Sequence, residues 1–236
     1  MKNYLIIGNG RVAKHVMHYF DLLNITYQHW HRKINIDLLS DYILNCDIIL
    51  CAISDDAIEN FIQNHLFDCK KTIVHFSGSL VTEHAIAAHP LFSFGTQFFS
   101  LETYQTIPFV LEKNRGDFSE IFPDLSNPHF QIDSDKKSYY HALCVMGVNF
   151  SCLLWQTFFE KMQNEFGLPM PALSPVLNSV FANLSNSPNA ALTGPLVRND
   201  QTVIQKHLKA LDNDPLKLIY TAFNEVFNHG IIKNDR

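Results

Sequence analysis

At 236 residues, 47% of them hydrophobic and 17% charged, the chain has the composition of a folded globular protein with one full domain and a smaller one, which excludes intrinsic disorder. A net charge of −5 leaves no global attraction for nucleic acid or an anionic membrane, so any anion site must be local. The five cysteines show no CxxC spacing and the twelve histidines form no HExxH or similar frame, so buried thiols and no metal site are expected.

The opening MKNYLIIGNG has too short an apolar stretch for a secretory signal, and no uninterrupted apolar run approaches the ~20 residues that span a bilayer. A cytoplasmic protein without membrane contact is expected. Tyr4–Ile7 reads as a strand. It runs into Gly8-Asn9-Gly10-Arg11-Val12-Ala13 and then an amphipathic helix over 11–23, where Val12, Val16, Tyr19, Phe20 and Leu23 recur at spacings of three and four. This is the GxGxxA form of the dinucleotide fingerprint, placed between strand and helix as the chemistry requires. Gly8 permits the tight turn, Gly10 lets the backbone approach a pyrophosphate, and Ala13 allows close helix packing. The helix N-terminus then offers unpaired N–H groups to the phosphates.

A second strand is predicted over 26–30. An acid that would grip a ribose 2′-hydroxyl belongs near its end; the chain instead has Trp30-His31-Arg32-Lys33, with no acid between Asp21 and Asp37. That run suits the 2′-phosphate of NADP(H), with Arg32 the best ligand because a guanidinium makes paired contacts and stacks on adenine. The other reading is a solvated basic turn. A strand over 47–53 leads to Ile53 and Ser54 and a helix over 55–67. Ser54 either caps that helix or borders the nicotinamide-side ribose. A strand over 72–76 brings His75 to the same edge, in the ligand crevice or in the core. A helix is predicted over 79–88, then a loop through His89 and Pro90, where His89 borders the substrate or packs beneath Phe92, Phe94, Phe98 and Phe99. Strands over 108–111 and 130–132 complete the α/β region.

Beyond about residue 133 the strand pattern stops and helices follow: Ser134–Phe166, ended by Gly167, then 172–184, 200–211 and 215–229, with Asp200 and Asp214 as N-caps and Gly230 as a stop. The reading is an α/β Rossmann-type doubly wound sheet domain, residues 1–133, followed by a smaller all-α domain, residues 134–236.

The segments GNGRVA, AISDDAI, HFSGSL, HPLFSFG, HALCVMGVNF and ALTGPLVRND together resemble the Rossmann-like proteins that carry a C-terminal domain of unknown function 2520. That family is similar in architecture to pyrroline-5-carboxylate reductase, ketopantoate reductase and 3-hydroxyisobutyrate dehydrogenase. The resemblance implies an NADP- or deazaflavin-dependent oxidoreductase acting on a small molecule, with the helical domain making a homodimer and closing the cleft; nothing in the sequence itself supports a deazaflavin. Related dehydrogenases carry a Lys and an Asn four residues apart on the long helix. Asn149 matches the Asn, but Val145 stands at the Lys. His141, four residues before Val145, is the available proton donor, or makes an interhelical hydrogen bond. Arg198, in TGPLVRND, reaches a substrate carboxylate or a partner's cofactor on this reading, or lies in a turn entering a helix. The other function considered is a nucleotide-binding sensor without turnover, motivated by the missing lysine.

Overall fold

The structure, a computed structural model, describes residues 2–230, so the end of the region predicted over 134–236 lies outside the described residues. The elements are β1 (Tyr4–Ile7), α1 (Arg11–Leu22), β2 (Tyr27–Trp30), α2 (Asp37–Leu44), β3 (Ile48–Cys51), α3 (Asp55–His65), β4 (Thr72–His75), β5 (Ile86–Pro90), α4 (Leu101–Thr106), β6 (Phe109–Glu112), α5 (Phe118–Ile121) and β7 (His129–Ile132). They form a seven-stranded sheet in the order β2-β1-β3-β4-β5-β6-β7. Every pairing is parallel except β5 with β6. The order reverses direction between β1 and β3, and the carboxyl edge at such a switch point is where an open α/β sheet leaves a crevice for a ligand.

β1 and β3 are buried along their whole length, as strands covered on both faces must be. Alternation sends Tyr4 and Ile6 into one cluster with Val16, Tyr19 and Phe20 of α1. Leu5 and Ile7 enter the other, with Leu39 of α2 and Ile58 and Ile62 of α3.

The helix predicted over 79–88 does not form; its second half begins β5. Ala87 and Ala88 favour helix in isolation, but here they are buried, Ala87 in register with His75 and Ala88 with Leu111. Sheet pairing overrides propensity there, and Pro90 biases His89 towards extended backbone.

After a 3₁₀ turn, Ser134–Lys136, the chain continues as α6 (Lys137–Cys144), a π-helical turn (Val145–Phe150) and α7 (Ser151–Phe166). Gly167, at φ +68°, ends this helix, with Gly167 N–H donating to Gln163 and Leu168 N–H to Met162. The 33 residues of Ser134–Phe166 reach a mean hydropathy of 1.5 in their most apolar window, enough by length and composition to cross a membrane although no unbroken apolar run does so. α8 (Met170–Asn186), α9 (Gln201–Ala210) and α10 (Leu216–Asn228) follow. Asp200 caps α9 by accepting from Val203 N–H at 3.1 Å, and Asp214 accepts from Leu216 N–H at 2.9 Å. The strands end at Ile132, while the chain divides into compact units at Met1–Leu153 and Leu154–Arg236. Within the second unit, Lys161 bonds Asp214 at 2.8 Å.

Candidate dinucleotide and substrate site

Gly8 leaves β1 at φ +124°, and a Cβ there would fall 2.2 Å from the carbonyl oxygen of Ala52. Only glycine fits between β1 and β3 at that point. Gly10 occupies the N-cap position of α1 and faces open space, which leaves its backbone accessible. Ala13 is buried against the sheet. The first turn of α1 contains no acid, so its positive end is uncompensated. His29, which carries no motif that marks it in the sequence, donates from Nε2 to the carbonyl of Gly8 at 2.6 Å and ties the end of β2 to the glycine turn.

The glycine turn and the start of α1 border a cavity of about 840 Å³, the size of a cofactor site, lined wholly by residues between Ile7 and Ser77. Gly8, Asn9, Gly10, Arg11 and Val12 form its floor, and His31, Arg32 and Lys33 one rim. His31 Nδ1 accepts from Lys33 N–H at 3.3 Å. Arg32 is exposed and enters no ion pair among the described residues. No carboxylate lines this rim. Phe61 and His65 of α3, also missed from the sequence, face the cavity with rings 4.8 Å apart, and Trp30 lies 5.6 Å from Phe61. Their four-residue spacing on one helix is the signal that could have found them.

The opposite end lies at the edges of β3 and β4. Ile53, Ser54, Asp55, Phe76 and Ser77 line it. Ser54 occupies the N-cap position of α3 but makes no capping bond with its side chain. The hydroxyls of Ser77 and Ser79 both donate to Asp55 Oδ2, the latter at 3.3 Å. Ser77 Oγ in turn accepts from the N–H groups of Ser79 and Leu80, which shapes a tight turn after β4. His75 is buried beneath that turn and does not line the cavity; its Nδ1 accepts from Ser77 N–H at 3.2 Å and its Nε2 has no partner among the described residues. Burial, then the charge of Lys137, pushes the His75 pKa down to about 4, so it is neutral at physiological pH.

Two further predicted residues converge on the same turn. His89 Nδ1 lies 2.8 Å from the Tyr140 hydroxyl, and its ring centroid is 5.8 Å from that of His141, nearly perpendicular to it. Burial, then His141 and Lys137, pushes the His89 pKa down to about 4. Gly78 sits between the two rings: a Cβ there would be 2.5 Å from His141 Cδ2 and 3.1 Å from His89 Nε2. Sequence reasoning missed Gly78, whose role is empty space rather than an unusual torsion. Gly78→Val is expected to push His141 aside and cost about 1–3 kcal/mol through overpacking, while the cavity floor at Gly8 and Gly10 is untouched. Thermal melts together with nucleotide titration would check this, and loss of nucleotide binding at unchanged stability would contradict it.

Beneath the turn, Lys137 Nζ is 2.9 Å from Glu112 Oε1 and also donates to the Leu80 carbonyl, with both side chains almost wholly buried. Ser134 Oγ donates to Glu112 Oε2 at 2.5 Å. Lys137 is therefore committed to structure and stands outside the reacting groups.

Asn149 lies in the π-turn, eight residues from His141. In an unbroken α-helix those eight residues would turn through about 800°, some 80° out of line. The wider turn absorbs one residue, so the rotation is close to that of seven, about 700°. Asn149 thus falls nearly on the His141 face, and more nearly so than the four-residue spacing through Val145 would place it. Arg198 belongs to the second unit, exposed in the turn ahead of α9.

The sheet, its switch-point cavity and the glycine turn define a Rossmann-type fold. Residues 107–226, just over half of the 236, match the family described as Domain of unknown function (DUF2520), and the chain belongs to that family. No curated protein matches. Among solved structures, BF3122 from Bacteroides fragilis is similar at TM-score 0.76 and 19% identity, over 97% of this chain and 98% of that one. Protein TM1727 from Thermotoga maritima is similar at TM-score 0.70 and 24% identity, over 96% and 97%. The pyrroline carboxylate reductase of Plasmodium falciparum, with NADP bound, is similar at TM-score 0.55 and 15% identity, over 97% of each chain. At these identities the likeness is one of fold.

Proposed function

We propose that the protein is an NADP(H)-dependent oxidoreductase that reduces a small carbonyl or imine substrate. The observation that carries this reading is the single cavity wall that joins the Gly8–Gly10 turn to His31, Arg32 and Lys33 with no acid on that rim. The glycine turn and the α1 N-terminus would hold the pyrophosphate, Arg32 the 2′-phosphate, and Ile53 and Ser54 the nicotinamide side. The reduced nicotinamide supplies the hydride when bound. Among the residues converging on Gly78, His141 is the proton donor on this reading, since His89 Nδ1 is engaged by the Tyr140 hydroxyl and Lys137 by Glu112. Asn149 on the same face would anchor the substrate, with His89 bordering it. The family likeness and the NADP-bound Plasmodium reductase support this reading; no feature of the site asks for a deazaflavin.

The test is oxidation of NADPH against a panel of imines, keto acids and aldehydes, with His141→Ala as the control. The expected result is turnover with at least one member and its loss in the variant. Tight NADPH binding with no turnover across the panel would favour the alternative, a nucleotide sensor, which the engagement of Lys137 also favours.

We further propose a homodimer built on the helical region. Residues 138–159 contain no Asp, Glu, Lys or Arg, and Leu143, Met146, Phe150 and Leu153 are each about half exposed. Among the described residues of the second unit only Leu173 and Ile204 are buried hydrophobics, too few to close a core. A second copy would cover these faces, and the grip of Tyr140 and His141 on the sheet domain argues against a lipid-embedded helix. Sedimentation is expected to give twice the chain mass, and Phe150→Glu to give the monomer; a wild-type monomer, or a protein held in solution only by detergent, would contradict this.

A further inference from the structure

The cavity is electrically polarised. On the β1 and β2 side it carries Arg11, Arg32 and Lys33; on the β3 and β4 side, Asp55 is the one charged side chain among the described residues that line it. The nearby cations are spent elsewhere. Lys137 is bound by Glu112 and the Leu80 carbonyl, and Arg115 donates to the carbonyls of Thr82 and Ala85. Asp55 Oδ2 takes the two seryl hydroxyls, and Asp55, in the first turn of α3, enters no ion pair among the described residues; the positive charge it feels comes from that helix end and from Lys137, which is itself paired with Glu112.

A keto acid would bring its carboxylate towards this like charge, whereas a cation would be drawn to it. We infer that the substrate of the proposed reductase is a cationic iminium, the protonated form of a small C=N compound, with Asp55 as its counter-ion. The inference rests on the proposed function and narrows its substrate class. In the reaction, hydride leaves C4 of the reduced nicotinamide with its electron pair and bonds to the iminium carbon. The C=N π pair passes to nitrogen, giving a neutral amine and the oxidised cofactor. The nitrogen must carry its proton when hydride arrives, and His141 is the group that would protonate a C=N compound that enters neutral.

The experiment uses the full chain saturated with NADP+ and three ring compounds of similar shape: pyrrolidine as the cation, cyclopentanone as the neutral probe and cyclopentanecarboxylate as the anion. Calorimetry is expected to give binding in the order pyrrolidine, cyclopentanone, cyclopentanecarboxylate. Asp55→Asn is expected to cut the preference of pyrrolidine over cyclopentanone at least about tenfold, while Asp55→Glu retains most of it, which separates charge from damage to the Ser77–Ser79 turn. Preference for the carboxylate, a pyrrolidine preference unchanged in Asp55→Asn, or no pyrrolidine binding to a complex that holds NADP+ would each overturn the iminium assignment alone. Failure to bind NADP+ at all would overturn the reductase reading and the assignment with it.

Discussion

Arg32→Ala is expected to weaken NADPH binding about thirtyfold, equivalent to about 2 kcal/mol for a charge-assisted contact, and to change NADH binding by less than about twofold. The cause begins in β2, whose last residue, Trp30, is buried and whose indole N–H donates to the Asn35 carbonyl at 3.3 Å. That anchor fixes where the following three residues emerge at the cavity rim. Arg32 is exposed and outside every ion pair of the described residues, so its guanidinium needs no freeing before it meets an anion. NADH has a hydroxyl where NADPH has a phosphate, which is why the loss should be selective. Arg32→Lys keeps the charge without the planar fork and is expected to fall between wild type and alanine. Paired calorimetric titrations check both, and equal losses for the two nucleotides would remove Arg32 from the 2′-phosphate.

Lys137→Ala is expected to cause the largest loss of stability, about 3–5 kcal/mol, because it strands Glu112 as an unpaired charge in the interior. For a chain of this length that corresponds to a fall in melting temperature of roughly 10 °C. Lys137 and Glu112 have side-chain exposures of 3% and 1%, at an N–O separation of 2.9 Å. Burial alone would push the Glu112 pKa up; the bonds from Ser134 and Lys137 and the charges of Lys137 and Arg115 outweigh it and hold the carboxyl below its ordinary range. The folded-state pKa is thus depressed, so the contribution of Glu112 to stability is present above the unfolded value of about 4.3 and is lost as pH falls through the folded value. In Lys137→Ala the lowering partner is gone and burial dominates. The deficit of the variant should therefore shrink as pH is lowered from 7 towards 4, when Glu112 takes up a proton. Replacing both partners, with Lys137→Met and Glu112→Leu, is expected to recover most of the loss. Melting curves over that pH range decide the matter, and a deficit that grows towards acid would contradict the pairing.

The features legible in the sequence alone are local ones. The glycine turn, the helix behind it and the basic run after β2 each occupy a few consecutive residues whose chemistry speaks for itself. β5 escapes such a reading because AIAAHP carries alanines that favour helix, and only the neighbouring strands decide otherwise. The grouping of Gly78, His89 and His141 is hidden for a different reason. His89 and His141 are each candidates for a site, yet nothing in their spacing of 52 residues says that both rings close on one glycine. Lys137 and Glu112 lie 25 residues apart, and neither position looks buried from its neighbours. The π-turn leaves no periodic mark, so four-residue spacing hints that His141 and Asn149 share a face but does not establish it.

The most direct test of cofactor binding and choice is a pair of calorimetric titrations of the full chain with NADPH and NADH. NADPH is expected to bind at least about tenfold more tightly, the difference of one well-placed phosphate contact. Equal affinities would leave the Arg32 rim without a cofactor role, and binding of neither nucleotide would reduce the Gly8–Gly10 turn to a structural feature and withdraw the oxidoreductase reading.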